Sequence, residues 1–131
     1  MLRSFLIILP CFLALDCLWI GVLMNSFYNH EIGELARRSE GALAPRWGAA
    51  LLVYLLIPGG IVVFVRPALD MKGSLLHAFG IGALFGLVVY GVYDLTNRAI
   101  LQNWSLRMTV IDMVWGSSLC GAMAIMMRLA K

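Results

Sequence analysis

The chain has 131 residues, of which 62% are hydrophobic and only 13% are charged, and its mean hydropathy is +0.90. A soluble globular domain carries about 25% charged residues, so the ten basic and seven acidic side chains here are too few to coat a water-exposed surface. The composition excludes a soluble enzyme, a disordered protein and a nucleic-acid binder, which would need clustered lysine and arginine. The net charge of +3 fits short basic flanks around membrane spans.

Four apolar stretches predict four transmembrane helices, over about residues 4–28, 47–65, 74–97 and 105–127. Each is long enough to cross ~30 Å of hydrocarbon as a helix, and lipid offers no hydrogen bonds to an open backbone. Short connections make successive helices antiparallel neighbours. We therefore expect an all-α integral membrane protein, an antiparallel four-transmembrane-helix bundle in which residues 1–131 form a single membrane domain.

The basic residues at the helix ends do not orient the chain in the membrane. We call the side that holds the N-terminus side A and the other side B, and four passes return the C-terminus to side A. Side A then holds Arg3, Arg66, Lys72, Arg128 and Lys131, and side B holds Arg37, Arg38, Arg46, Arg98 and Arg107. Since the positive-inside rule counts five against five, only the free amino terminus favours a cytoplasmic side A.

The longest connection, residues 29–46, lies on side B. Asn29 is a candidate cap for a short helix, and Glu34 and Arg38 have the spacing of a favourable helical ion pair. An amphipathic helix in the membrane interface is one interpretation, and a polar loop is the other. The acids outside the spans are interpreted as solvated charges; they are Glu31, Glu34, Glu40 and Asp70.

Three acids fall inside the predicted spans. A carboxylate in a bilayer costs several kcal/mol unless it is neutral, paired or hydrated. At ~1.5 Å per residue, Asp94, Asp112 and Asp16 lie roughly 5, 11 and 17 Å below side B. This order of depths suits a polar funnel that enters the membrane from side B.

The pattern Asp-x-x-Trp occurs twice, as Asp16 with Trp19 in the first helix and as Asp112 with Trp115 in the fourth. Residues three apart share a face, and these helices run in opposite directions. We therefore expect the two helices to face each other, so that the Trp115 indole donates a hydrogen bond to Asp16. Trp19 then donates to Asp112 in the same way. The alternative role is structural, in which the pairs only lock the helices together.

The end of the third helix carries another polar group. Tyr90, Asp94 and Asn97 share one face, and Arg98 lies four residues beyond Asp94. These residues are interpreted either as a helix end with a local ion pair or as a polar gate above the deeper acids.

Two further patterns are interpreted structurally. Gly82-x-x-x-Gly86 in the third helix predicts close helix packing. His30 and Glu34 would supply only two metal ligands from one helical face, so we expect no metal site and no cofactor.

The polar motifs together resemble a known family. Asp16-x-x-Trp19, Tyr93-Asp94-Leu95-Thr96-Asn97 and Asp112-x-x-Trp115-Gly116 are similar to motifs of the bacterial domain of unknown function 2177 family of small four-helix membrane proteins. The similarity covers essentially the whole chain. It implies four helices and a bacterial cytoplasmic (inner) membrane location, and it supplies no activity and no catalytic residue.

Three functions fit these residues. The first, which we favour, is proton- or cation-coupled transport of a small ligand through protonation of Asp16 or Asp112, in a cavity that a homodimer would form. The second is a membrane enzyme acting on a lipid, with Asp94 and Asp112 as acid and base. Arg98 and Arg107 would then hold the head group. The third is a structural or regulatory membrane subunit. The expected ligand- or proton-binding residues are Asp16, Trp19, Tyr90, Asp94, Asn97, Asp112 and Trp115.

Overall fold

The computed structural model describes residues 1–69 and 73–130 of the chain. Within them, four helices are long and apolar enough to cross a membrane; they span Leu2–Leu23, Trp47–Ala68, Leu75–Ile100 and Leu106–Leu129. The expected helical membrane fold with four spans is therefore confirmed. Two charges assigned to side A, Lys72 and Lys131, and the flank acid Asp70 lie outside the described residues.

The first span ends earlier than the sequence predicts. Helix α1 covers Leu2–Leu18 and continues as a π-helical turn over Trp19–Leu23, which closes through a backbone hydrogen bond of 2.8 Å donated by Met24. Met24 then leaves the helical conformation, with φ −117° and ψ 15°, and a separate short helix, α2, covers Asn25–Ile32. The expected continuous helix to residue 28 is wrong, because the break at Met24 puts Tyr28 on α2.

The connection on side B contains a turn and a hairpin rather than a long interfacial helix. A 3₁₀ turn covers Gly33–Leu35, and strands β1 (Arg38–Ser39) and β2 (Ala42–Leu43) pair antiparallel. Glu40 and Gly41 join the strands with φ values of 51° and 83°, as a two-residue hairpin turn with two left-handed central residues requires. The helical part of this connection is limited to the end of α2.

Arg38 fastens the hairpin to α2. Its guanidinium donates to Asn29 Oδ1 over 2.9 Å and to the backbone carbonyls of Asn29 and Gly33 over 3.1 and 3.3 Å. The expected helical pair with Glu34 is wrong, because Arg38 lies on a strand and helical spacing no longer applies. Asn29 lies inside α2 instead of capping it, and its amide donates to the Asn25 carbonyl over 2.9 Å.

The second span is as irregular as the first, and only the last two spans are longer and regular. Helix α3 covers Trp47–Gly60, continues as a second π-helical turn over Ile61–Val65 and ends in a 3₁₀ turn over Arg66–Ala68. Helix α4 covers Leu75–Ile100, and helix α5 covers Leu106–Leu129.

Serine caps fix the starts of the last two helices. The Ser74 hydroxyl accepts from the His77 N–H over 3.0 Å, and the Ser105 hydroxyl accepts from the Met108 N–H over 3.2 Å. A hydroxyl at this position satisfies an amide that the helix itself leaves free. Ser105 therefore sets where α5 begins, which matters for the site below.

Glycines bring α4 and α5 into backbone contact. A Cβ atom on Gly86 would collide with the Gly116 carbonyl, and one on Gly82 would lie 2.6 Å from the Cβ of Ala124. Since residue numbers rise along α4 as those of its partners on α5 fall, the two helices are antiparallel. The packing role predicted for the glycine motif is confirmed.

The largest buried cluster lies between side A and the middle of the bundle. It joins Ile8 and Phe12 of α1, Ile61 and Val65 of the second π-helical turn, and Met123 of α5. That turn packs against α4 and α5, whereas the preceding part of α3 packs on α1. The bundle is therefore closed near side A, and space remains between α3 and α4 toward side B.

Candidate ligand-binding chamber

Asp16 in α1 is 5% exposed, and both of its carboxylate oxygens accept hydrogen bonds. The Trp115 Nε1–H donates to Oδ1 and the Tyr54 hydroxyl donates to Oδ2, each over 2.9 Å. The predicted bond between Asp16 and Trp115 is confirmed. Sequence reasoning misses Tyr54, because a single tyrosine within the apolar helix α3 creates no polar pattern.

Asp112 in α5 is linked to Trp19 through an intervening tyrosine. The Trp19 Nε1–H donates to the Tyr28 hydroxyl over 3.2 Å, and that hydroxyl donates to Asp112 Oδ1 over 2.8 Å. The expected direct bond from Trp19 to Asp112 is wrong, because the break before α2 inserts Tyr28 between them. Burial raises the pKa of the Tyr28 phenol above its ordinary value, so the phenol keeps its proton and remains a donor.

The two indoles of the repeated motif stack on each other. The ring centroids of Trp19 and Trp115 are 4.4 Å apart and their planes differ by 2°. Helices α1 and α5 therefore face each other here as predicted, held by the stack and by two indole hydrogen bonds with different acceptors.

Asp94 in α4 is fully buried, and neither of its carboxylate oxygens has a hydrogen-bond partner among the described residues. Its carboxyl group lies beside that of Asp112 and beside the Trp104 indole, whose N–H also lacks a partner there. The ion pair with Arg98, one of the two interpretations of this helix end, is not formed, because Arg98 instead donates to the Trp104 carbonyl over 2.6 Å. In its ionised form, Asp94 thus has two acceptor oxygens to offer to a bound group.

These polar groups line a chamber of about 580 Å³ between the spans. Its walls come from all five helices and are mostly apolar, with side chains such as Phe12, Val53 and Ile57. The polar lining includes three aspartates and four tyrosines, namely Asp16, Asp94, Asp112, Tyr28, Tyr54, Tyr90 and Tyr93. No lysine, arginine or histidine of the described residues lines it, so its charged groups are acidic.

The chamber has an opening between α3 and α4. Val53 and Leu56 of α3 and Tyr93 of α4 line the chamber, yet 50%, 70% and 57% of their surfaces are exposed. In a bilayer these exposed surfaces would face hydrocarbon, because both helices are spans at this level. This part of the chamber wall is therefore not covered by another described element.

The structure brings most of the expected site residues together. Those that line the chamber are Asp16, Tyr90, Asp94 and Asp112. Trp19 and Trp115 are not in the lining, and each donates its indole hydrogen bond to a lining side chain. Asn97 is half-buried and lies outside the lining, about one turn beyond Asp94. That these residues bind a ligand or a proton stays a prediction.

Residues 25–43, which we call the lid, contribute Tyr28, Ile32 and Leu43 to the chamber wall. The Glu31 carboxylate fastens the lid to the start of α5, since it accepts a hydrogen bond from the Ser105 hydroxyl and lies 3.7 Å from Arg107. The hydrogen bond from Ser105 lowers the pKa of Glu31 below its usual value. The interpretation of Glu31 as a solvated flank charge is wrong, because its side chain is only 10% exposed.

Metal ligands do not cluster in the part of the chain that the structure describes, where no three His, Cys, Asp or Glu side chains are placed to hold an ion. His30 lies 3.6 Å from Glu31, and Cys11, Cys17 and Cys120 are free thiols.

Comparison with known proteins identifies a family but no activity. A family model described as a predicted membrane protein, DUF2177, matches residues 1–129. No curated protein and no solved structure matches the chain. The chain therefore belongs to the DUF2177 family, as its motifs suggest.

Proposed function

We propose that this DUF2177 protein binds a lipophilic organic cation in the chamber and exchanges it for a proton held by the chamber's carboxyl groups. The observation that supports the proposal is the lining, a largely apolar surface around about 580 Å³ that carries three carboxyl groups and, within the described residues, no basic side chain. Apolar walls favour a hydrophobic body, and carboxylates set among apolar walls favour a positive charge.

The closeness of Asp94 and Asp112 supports the proton exchange that we propose. Two adjacent carboxylates repel each other, so without a cation the pair is stabilised by a shared proton. A bound monovalent cation supplies the positive charge instead, and the shared proton can leave. Binding should therefore tighten as the pH rises.

A membrane enzyme acting on a lipid is the second candidate, favoured by the same adjacent carboxyl groups, which suit a general acid and a general base. That function needs Arg98 and Arg107 for the head group. Arg98 is bound to the Trp104 carbonyl and Arg107 pairs with Glu31. Since neither arginine lines the chamber, a cationic ligand is better supported than an anionic head group.

The proposal extends to location and assembly. It assumes a bacterial inner membrane, with side A on the cytoplasmic side. It also assumes that ligand binding serves coupled transport. The lining residues of the chamber all come from one chain, so a homodimer is a separate proposal that binding does not require. If the protein were instead a structural or regulatory subunit, replacing the chamber acids would not change ligand binding.

Calorimetric titration of the purified protein in detergent micelles tests the binding. The probe is 2-(2-naphthyl)ethylammonium, and neutral 2-ethylnaphthalene controls for partitioning into micelles. We expect saturable binding of the amine that tightens from pH 6 to pH 8. The Asp94→Asn/Asp112→Asn double variant should bind about tenfold more weakly or worse, which corresponds to about 1.4 kcal/mol.

Glu34→Gln is the matched control, because it removes an exposed acid outside the chamber. It should bind the amine as the wild type does. Equal heats for the amine and the hydrocarbon, or an unchanged double variant, would contradict the proposal. Proton movement on adding the amine to proteoliposomes then distinguishes transport from binding alone.

A further inference from the structure

The three aspartates of the chamber differ in what their oxygens already bind. Asp16 accepts hydrogen bonds on both oxygens, from an indole and a phenol, and Asp112 accepts one from Tyr28. Asp94 accepts none from the described residues, although it is fully buried. The free hydrogen-bonding capacity of the chamber is therefore concentrated at Asp94.

Buried polar groups are nearly always hydrogen-bonded, so an exception calls for a physical reason such as a ligand. The exception at Asp94 occurs in the chamber wall, beside a second one, the N–H of Trp104. The Trp104 N–H lies beside the Asp94 carboxyl group, but neither group completes a hydrogen bond with the described residues. Once the proton shared with Asp112 has left, the Asp94 oxygens are thus available to whatever occupies the chamber.

Aromatic rings complete the surroundings of Asp94. Tyr93 and Trp104 pack edge to face with ring centroids 5.8 Å apart, and both line the chamber. The face of an aromatic ring attracts a cation within ~6 Å, most strongly where water is excluded. The carboxyl groups of Asp94 and Asp112 and these two rings form one subsite.

We propose that this subsite holds the head of the ligand and that the head is a primary or secondary ammonium group, an inference that rests on the proposed cation binding. A primary ammonium has three N–H donors, enough for both Asp94 oxygens and for Asp112. A quaternary ammonium has the same charge but no donor, so it would leave the Asp94 oxygens unpartnered. The ligand is then an amine with an apolar body, and Asp94 determines the selectivity for it.

Four ligands with the same naphthylethyl body test the inference, namely the primary, monomethyl, dimethyl and trimethyl ammonium forms. Wild-type affinity should fall as donors are lost, by about tenfold or more from the primary to the quaternary form, because hydrogen bonds between charged groups are strong. Asp94→Asn should bring this ratio toward one, and Glu34→Gln should keep the wild-type ratio. A preference that reflects only ligand size would persist in Asp94→Asn.

The outcomes separate this inference from the proposed function. Equal wild-type affinity for the primary and quaternary ligands, or a ratio that survives in Asp94→Asn, would overturn the subsite and leave cation binding intact. Failure of all four ligands to bind would overturn cation binding and the subsite together. If Asp94→Asn does not fold, Asp94→Glu replaces it, since it keeps the charge, moves the oxygens and should lower the same ratio.

Discussion

The half of the bundle near side A and the half near side B are built on opposite principles. Near side A, glycines let α4 and α5 touch backbone to backbone, and the cluster around Phe12 and Met123 leaves little space. Toward side B, the same pair of helices carries Asp94 and Asp112 into a chamber of about 580 Å³. The close packing near side A thus fixes the positions of α4 and α5. The buried acids toward side B are held in place by these helices, although the acids themselves contribute little to stability.

One of the two largest effects should come from breaking the close-packed half. In Gly86→Ala the new Cβ would collide with the Gly116 carbonyl, so we expect a loss of about 1–3 kcal/mol in the free energy of unfolding. Gly80→Ala is the matched control, because nothing lies within 4 Å of its Cβ position and alanine is the better helix former. Denaturant titration in mixed micelles measures both, and equal stabilities would show that the helices can separate freely.

The second prediction compares two acids within the chamber half. Asp16→Asn exchanges an acceptor of two hydrogen bonds for a group with one acceptor oxygen, which should cost about 1–3 kcal/mol. Asp94→Asn removes a carboxylate without partners among the described residues, so its stability should match or exceed that of the wild type. The same titration measures both variants. A loss in Asp94→Asn as large as that in Asp16→Asn would mean that Asp94 is structural.

The smallest effect concerns the lid. Glu31→Gln weakens the contacts with Ser105 and Arg107, so amide exchange in α2 should become about two- to fivefold faster at neutral pH. Glu34→Gln, at an exposed acid of the same segment, should change exchange little. Hydrogen exchange followed by mass spectrometry measures the ratio of the exchange rate in the variant to that in the wild type at each pH.

The pH dependence of the lid has a defined sign. Because the folded pKa of Glu31 lies below its ordinary value of 4.5, the stabilisation is present above that value and disappears as the pH falls through the folded pKa. The difference between Glu31→Gln and the wild type should therefore vanish in acid. If the difference in exchange rate persists at acidic pH, contacts other than those of the Glu31 carboxylate hold the lid in place.

Predictions from the sequence succeed here where segment length, hydropathy or helical periodicity carries the information. The spans follow from length and hydropathy, and the Asp-x-x-Trp repeat predicts the bond from Trp115 to Asp16. It fails where a partner comes from an element with no pattern of its own. Tyr54 reaches Asp16 from 38 residues away, and Tyr28 reaches Asp112 from 84 residues away.

Two other errors have local causes. The backbone break at Met24 changes which residues can meet, and no proline or glycine at that position announces it. The burial of Glu31 depends on how the lid folds back onto the start of α5, which a charge pattern on a single segment does not encode. In both cases the missing information is tertiary.

The π-helical turn over Trp19–Leu23 determines where the first span tolerates the deletion of a residue. Such a turn holds one residue more than an α-helix needs, so deleting exposed Val22 would restore α-helical geometry and keep the residues before it in place. A deletion at Ala14 would instead rotate everything on one side of it by about 100° and separate Asp16 from its partners on α3 and α5. Natural insertions and deletions in the first span should therefore concentrate in this turn.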